Sequence, residues 1–184
     1  MLNKILSVSN KQLDLIDASS GMNIINHRKE LICSASSVEH YKLLAYISTL
    51  FNKQTLFDIG THDGLSALAL SYNKAINVKS YDINRTKISY NYTEKINIKY
   101  IIGNALKDED LKKSPFIFLD TKHDGIFENQ LYNHLIKIDY KGLLMLDDII
   151  LNDAMRKFWN DIKHDKYDLI KKGHWSGTGL VNFR

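Results

Sequence analysis

From residue 55 onward, apolar residues fall into short continuous runs separated by stretches of helical spacing. Runs of that length, bounded by turn residues, read as buried strands, and the spaced stretches read as amphipathic helices. The pattern predicts strands at 55–60, 76–83, 98–103, 115–120 and 142–149. It predicts helices at 65–73, 86–95, 126–138 and 152–164, with a short helical turn at 108–113. Within 167–183 it predicts two strands joined by a glycine-containing loop. Ahead of this series, Ser36 or Ser37 is placed to cap a helix that carries Glu39 in its first turn. Leu43, Leu44, Ile47 and Leu50 give that helix an apolar stripe. Residues 1–36 read as a polar, irregular N-terminal extension with a turn at 17–23, and residues 37–184 as a single domain. Strands alternating with helices specify an α/β fold with a doubly wound, mostly parallel sheet. The runs at 115–119 and 142–146 suit central strands buried on both faces, and the final pair suits an antiparallel strand at the end of the series.

Composition changes this picture little. The chain has 184 residues, 44% of them apolar and 25% charged, as expected for one globular domain with a real core. Its formal net charge is +4, and its lysines and arginines are scattered, with no basic block of the kind that marks a nucleic-acid arm. Weak attraction to anionic substrates is all the charge implies. Cys33 is the single cysteine, which excludes a disulfide within the chain and reads as an inert thiol in a reducing, cytoplasmic setting. The first residues lack the apolar core and cleavage site of a signal peptide, and no apolar run is long enough for a membrane span.

The candidate chemistry lies at the ends of the predicted strands. Asp58, Asp82, Asn104, Asp120, Asp147 and Asp148 each end or follow an apolar run. Any one acid there could cap the next helix, but acids at four strand ends could together line one crevice. In open α/β sheets ligands bind at that edge, near the switch point of the strand order. The stretch "FDIGTHDGLSALAL", residues 57–70, gives a strand, a glycine-marked turn and a helix. Its spacing is acid-x-Gly-x-x-x-Gly, not the Gly-x-Gly-x-x-Gly of dinucleotide folds, which argues against an NAD-dependent oxidoreductase. Gly60 would let the backbone approach a ligand, and Gly64 would let the helix start against it. Asp82 follows Asp58 by 24 residues. That is near the offset at which an acid takes ribose hydroxyls, and a carboxylate, which only accepts, suits the two donors of a diol. Asn104 carries an amide able to donate to and accept from an adenine edge.

Taken together, these motifs resemble those of class I S-adenosylmethionine-dependent methyltransferases, most closely the small-molecule O-methyltransferases of the catechol, macrolide-sugar and cephalosporin-hydroxylase-like kind. "IGT…GLSAL" is similar to that branch's first motif, "SYDI" to the second and "IIGNAL" to the adenine-side loop. "FIFLDTKHDG" and "LLMLDDI" resemble its fourth and fifth strands, and the resemblance spans roughly residues 55–183. It implies a Rossmann-like sheet of about seven strands with the last one reversed. It also implies an S-adenosyl-L-methionine site in which Asp58, Gly60, Thr61, Gly64 and Ser66 surround the methionine portion. Asp82 would hold the ribose, Asn104 and Ala105 would border the adenine, and Asp120 would close the site. His62 departs from the glycine-rich form of the first motif, which questions close backbone contact at that position alone.

The same resemblance implies a metal. Metal-dependent O-methyltransferases bind magnesium through an acid at the fourth strand and an acidic pair after the fifth, positions matched here by Asp120, Asp147 and Asp148. Hard oxygen ligands suit Mg²⁺ or Ca²⁺, and such a cation lowers the pKa of a substrate hydroxyl. The competing reading has Asp147 capping the next turn and Asp148 facing solvent. "DTKH" is similar to the Asp-Ser-x-His stretch of sugar-modifying relatives and offers His123 as general base, with Lys122 as the competitor. His27, His134 and His164 read as surface residues, whereas His40 and His174 could border a substrate pocket. Trp175 reads as a pocket wall or a core aromatic. The expected activity is O-methylation of a hydroxyl on a small polar molecule such as a sugar or glycan precursor. The alternatives are a nucleotide-binding module without catalysis and a nucleic-acid methyltransferase. Against the latter, "LDTKHDG" stands where base-modifying enzymes carry Asn-Pro-Pro-Tyr. Residues 1–36 are left open as a cover for the site or a homodimer contact.

Overall fold

The computed structural model describes the chain apart from residues 20, 21, 25, 85, 86, 89 and 93–96. In chain order it comprises α1 (Leu2–Ser7), α2 (Asn10–Asp14), β1 (Met22–Ile24), α3 (Asn26–Ile32), α4 (Tyr41–Ser48), β2 (Thr55–Ile59) and α5 (Leu65–Leu70). β3 (Asn77–Asp82), β4 (Tyr90–Tyr92) and β5 (Ile98–Ile102) follow, then 3₁₀ turns at Ala105–Lys107 and Glu109–Lys113. β6 (Phe116–Leu119), α6 (Ile126–Lys137), β7 (Leu143–Leu146), α7 (Asp153–Asp161), β8 (Asp165–Asp168) and β9 (Gly179–Asn182) complete the series.

Seven strands form one sheet in the order β5-β3-β2-β6-β7-β9-β8. The first five are parallel, and β9 runs antiparallel to both β7 and β8. This is the expected doubly wound α/β sheet with a reversed last strand. From β2 the chain winds outward to β3 and β5, then returns to β6 on the other side of β2. The switch point therefore lies at the C-terminal ends of β2 and β6.

The apolar runs build the core by splitting between faces, as the two-residue period of a strand requires. Leu56, Phe116, Phe118, Leu143 and Met145 point to one side, where Ile5, Leu13, Leu43, Leu44, Ile47 and Leu70 cover them. Phe57, Ile59, Ile117, Leu119, Leu144 and Leu146 point to the other, against Leu131 and Leu135 of α6 and Met155 and Phe158 of α7. Fully burying side chains of this size contributes about 1.5–3 kcal/mol each before entropy is counted.

Three expectations are corrected. Residues 1–36 are not irregular: they hold three helices and a strand, and Ile5, Val8 and Leu13 are buried in the main core. Their polar residues alternate with single apolar anchors, so no long apolar run announces them. Lys172 Nζ latches this segment to the C-terminal part by donating to the carbonyls of Leu6, at 2.8 Å, and Val8, while Asn10 Nδ2 donates to the Lys171 carbonyl. The predicted helix at 86–95 is a strand at Tyr90–Tyr92, paired antiparallel with β1; residues 86, 89 and 93–95 of that prediction lie outside the described residues. The α4 helix also begins at Tyr41, not at Ser36 or Ser37. Ser36 is spoken for, since its N–H donates to Asp14 Oδ1 at 2.8 Å, and the chain passes through a left-handed Ser37 (φ 75°) before turning into the helix. No helix among the described residues is long and apolar enough to cross a membrane.

Candidate functional site

The loop after β2 is stitched to both neighbouring strands. Gly60 N–H donates to the Tyr81 carbonyl at 2.8 Å, and Asp120 N–H donates to the Ile59 carbonyl at 2.9 Å. Gly60 has φ +102°, and a Cβ there would lie 1.6 Å from the Asp120 carbonyl oxygen. The close approach that demands glycine is thus to the backbone beyond β6. His62 also takes the left-handed conformation (φ 46°), which turns its N–H onto Asp82 Oδ2 at 3.0 Å. Asn84 N–H donates to Asp82 Oδ1 at 2.9 Å, so the loop and the strand end fix the carboxylate from two sides. Each of its oxygens retains a further lone pair.

Gly60, His62, Asp82, Asn104, Ala105 and Asp120 border a cleft of about 490 Å³ at this edge of the sheet. That size suits a small molecule or cofactor. Asn104 uses its amide oxygen to cap the following 3₁₀ turn, accepting from Leu106 N–H at 3.0 Å, which leaves its NH₂ as the group able to donate.

Asp58, Thr61, Gly64 and Ser66 do not line the cleft; they form the layer beneath it. Asp58 is fully buried, accepts from the Ser80 hydroxyl at 2.6 Å, and Ser80 in turn meets the Thr61 hydroxyl at 2.7 Å. Burial pushes the Asp58 carboxyl up to about 7, against the pull of the Ser80 and Ser66 hydroxyls. Thr61 points inward because Ser80 is there to receive it.

On the other side of the switch point, the ends of β6 and β7 gather acids and imidazoles. His123 Nε2 lies 3.2 Å from Asp120 Oδ1 and its Nδ1 lies 3.4 Å from Asp148 Oδ2. His40, packed on Phe118 of β6, has Nδ1 3.3 Å from Asp147 Oδ1. His174 Nδ1 lies 3.4 Å from the same Asp147 oxygen and 3.0 Å from Asp148 Oδ1, with Glu39 3.8 Å from its Nε2. Ser176 donates to Asp148 and meets His174 Nδ1 at 2.7 Å. Asp147 and Asp148 are both buried, which overturns the reading in which Asp148 faces solvent.

The charges in this centre hold each other. Burial opposes ionisation of Asp147, but His40 and His174 beside it hold its carboxyl well below the usual carboxylate range. Burial would lower His174, yet Asp147 and Asp148 raise it to about 10. Burial likewise works against protonated His40 and His123, and Asp147 and Asp120 respectively outweigh it, so both bind a proton more tightly than free imidazole.

His123 and Asp148 are both left-handed (φ 57° and 58°). Such conformations persist only where the surroundings fix them. Here Glu128 of α6 accepts the His123 N–H at 3.1 Å and the Thr121 hydroxyl at 2.8 Å, while Asn152 Nδ2 donates to the His123 carbonyl at 2.8 Å. Lys122 is exposed and pairs with Asp124 at 3.4 Å, and both border the cleft. Trp175 is 65% exposed, so it is no core aromatic; its ring stands 5.6 Å from that of His174. His164 is half-buried, bonded to the Tyr132 hydroxyl and packed on Phe183, and so is not the surface residue expected. The side chain of His27 lies outside the described residues.

Sequence reasoning missed Glu128 and gave Glu39 only a capping role. Glu128 carried a signal. Glu128 lies three and seven positions before Leu131 and Leu135, on the apolar face of α6, and an acid there must have a buried partner. His40 lies on the face of Leu43, Leu44 and Ile47 in the same way.

No protein-family model matches the chain, and no curated protein does either. Solved structures do match. A proposed caffeoyl-CoA O-methyltransferase from Staphylococcus aureus aligns over 98% of this chain and 95% of its own, with 16% identity and a TM-score of 0.58. An SAH-bound methyltransferase from Podospora anserina aligns over 79% of this chain and 78% of its own, with 16% identity and a TM-score of 0.53. A Geobacter sulfurreducens methyltransferase aligns over 85% and 84% respectively, with 12% identity and a TM-score of 0.51. The chain therefore has the Rossmann-like fold found in these methyltransferases.

Proposed function

We propose that the protein is an S-adenosylmethionine-dependent O-methyltransferase acting on a hydroxyl of a small polar molecule, such as a sugar or glycan precursor. The observation that carries this reading is a cleft with two unlike walls. Asp82 stands on one, prepared by two backbone N–H groups, and Asp120 stands on the other beside His123. The similar structures above, one of them SAH-bound, support the cofactor.

Bound in the cleft, the cofactor would supply a methyl group on a positively charged sulfur, open to in-line displacement by an oxygen. The remaining lone pairs of Asp82 would accept the ribose hydroxyls, and Asn104 and Ala105 would border the adenine. Gly60 and His62 would form the floor, while the buried Asp58, Thr61, Gly64 and Ser66 would keep the loop in shape. Most of the rate would come from holding the reactants in line, worth about 7–11 kcal/mol. His123, anchored by Glu128 and Asn152 beside the cleft-lining Asp120, would in its neutral form receive the proton of the acceptor hydroxyl; Lys122, paired with Asp124 at the cleft, is the competing candidate. A divalent cation held by Asp120, Asp147 and Asp148 would supply charge that acidifies that hydroxyl. Those residues fit a cation, because Asp147 lies within ligand reach of Asp120 on one side and of Asp148 on the other, and its Oδ1 is buried without a hydrogen bond. The exposed indole of Trp175 beside His174 is a surface on which a sugar ring could lie.

The test is calorimetric titration with S-adenosylmethionine and its demethylated product, with and without Mg²⁺. Both should bind, and Asp82→Ala should weaken them about 30-fold, the loss of about 2 kcal/mol in hydrogen bonds to a charged group. Binding of neither ligand overturns the reading. Binding without transfer of labelled methyl to any of a panel of hydroxylated acceptors favours the inactive module. Turnover indifferent to chelator and to Asp120→Asn removes the cation.

A further inference from the structure

The acids at β6 and β7 do not stand alone, and their company bears on which ion they would hold. Carboxylates, carbonyls and water suit Mg²⁺, which insists on near-octahedral oxygen coordination and keeps several waters. Here three imidazoles reach the same centre from three separate parts of the chain: His40 before α4, His123 after β6, and His174 before β9. Three sets of ligand atoms each lie within 4.8 Å of one another: Glu39 with His40 and His174, His40 with Asp120 and Asp147, and His123 with Asp147 and Asp148.

His40 is the informative member. It is 2% exposed, and neither ring nitrogen makes a hydrogen bond, although Nδ1 lies 3.3 Å from Asp147 Oδ1. That oxygen is also buried without a hydrogen bond. A buried imidazole normally has one nitrogen donating and the other accepting. Here the nitrogen and the carboxylate oxygen approach without the alignment that a shared proton needs. Around an ion bound at about 2.1 Å, tetrahedral ligand atoms sit about 3.4 Å from each other. The His40–Asp147 and His174–Asp147 separations, 3.3 and 3.4 Å, are of that size.

We propose that this centre is a site for a divalent transition-metal ion of the zinc, cobalt or iron class, built on the converging ligands His40, Asp120 and Asp147 with His174, 3.4 Å from Asp147, as the fourth, and not a magnesium site. Nitrogen donors of this kind select such ions over Mg²⁺. His123 and Asp148 flank the four; Glu39 lies 3.8 Å from His174 Nε2, where an outer partner of a ligating histidine belongs, and Ser176 and Asp148, which hold Nδ1 here, would give way to the ion. The inference rests on the cation part of the proposed function and is independent of its cofactor part.

The experiment uses the full chain, stripped with chelator, without S-adenosylmethionine. Zn²⁺ and Mg²⁺ are titrated by calorimetry, and Co²⁺ by visible absorption. Zn²⁺ should bind at least 100-fold more tightly than Mg²⁺. Co²⁺ should give visible bands that Zn²⁺ bleaches and excess Mg²⁺ does not. His40→Gln should weaken Zn²⁺ at least 100-fold, while His134→Gln, in the last turn of α6 and in none of these ligand groups, should leave it unchanged. If His40→Gln fails to fold, His174→Gln, nearer the surface, makes the same test. Mg²⁺ binding as tightly as Zn²⁺, no binding of any of the three ions, or Zn²⁺ binding unchanged in the folded histidine variants would each overturn the proposal. Cofactor titration run in parallel separates the two readings: S-adenosylmethionine binding to a chain that takes no Zn²⁺ overturns this inference alone.

Discussion

The two halves of the crevice solve the same problem with different chemistry. Each places acids just beyond apolar strands, where burial makes charge costly. On the β2 and β3 side, Asp58 is met by serine hydroxyls and Asp82 by backbone N–H groups, all neutral partners. On the β6 and β7 side, Asp120, Asp147 and Asp148 are met by three imidazoles. The first arrangement shapes a wall, and its buried acid keeps its proton up to about pH 7. The second stores opposed charges that can be rearranged when a ligand arrives. A strand-end acid therefore carries no fixed meaning; its partners give it one.

Gly60 joins the halves, and replacing it should erase the difference between them. Gly60→Ala should cost more than about 3 kcal/mol, since the new Cβ meets the Asp120 carbonyl and the backbone stays left-handed. Thermal unfolding should show a drop of at least about 6 °C.

Removing Asp147 attacks one half alone. Asp147→Ala strands His40 and His174 without their counter-charge, at a cost of about 2–4 kcal/mol measured by denaturant unfolding. Asp82→Ala, by contrast, removes a half-exposed cap and should leave stability within about 1 kcal/mol of wild type.

The pH dependence of stability should separate the halves by window. Asp58 is raised to about 7, so its contribution is complete below the ordinary aspartate value near 3.8 and is lost as pH rises through 7. His174 is raised to about 10, so its contribution is complete below 6.5 and is lost as pH rises through 10. Each can supply a slope of at most about 1.4 kcal/mol per pH unit. Asp58→Asn should flatten the lower window only, and His174→Gln the upper only. A variant that flattens both would show that the halves titrate as one unit. The smallest effect belongs to Trp175→Ala, which should change stability by less than about 0.5 kcal/mol, as measured by thermal unfolding.

What the sequence revealed and what it hid follow from range. The strands at 115–119 and 142–146 are legible because a strand buried on both faces needs only adjacent apolar residues. The acids at their ends are legible because they interrupt those runs. The N-terminal helices were hidden because Ile5, Val8 and Leu13 gain meaning only against Leu43 and Ile47, far along the chain. Strand β4 was hidden because β1, which it pairs with, lies about 70 residues earlier. Ser36 has a capper's chemistry, but Asp14 claimed its N–H. The imidazole centre was half legible: Asp120 and His123 lie three positions apart, whereas His40 and His174 meet Asp147 only through the finished sheet.

That last pairing sets an order on the making of the molecule. His40 and His174 are about 130 residues apart in the chain, and at 5–20 residues per second about 7–26 seconds of synthesis separate them. The helices and the first strands can collapse on their apolar faces in that interval, but His40 must wait for Asp147, and Asp147 for its second histidine. The charged centre thus cannot close until residue 174 has been made and carried back beside Asp147.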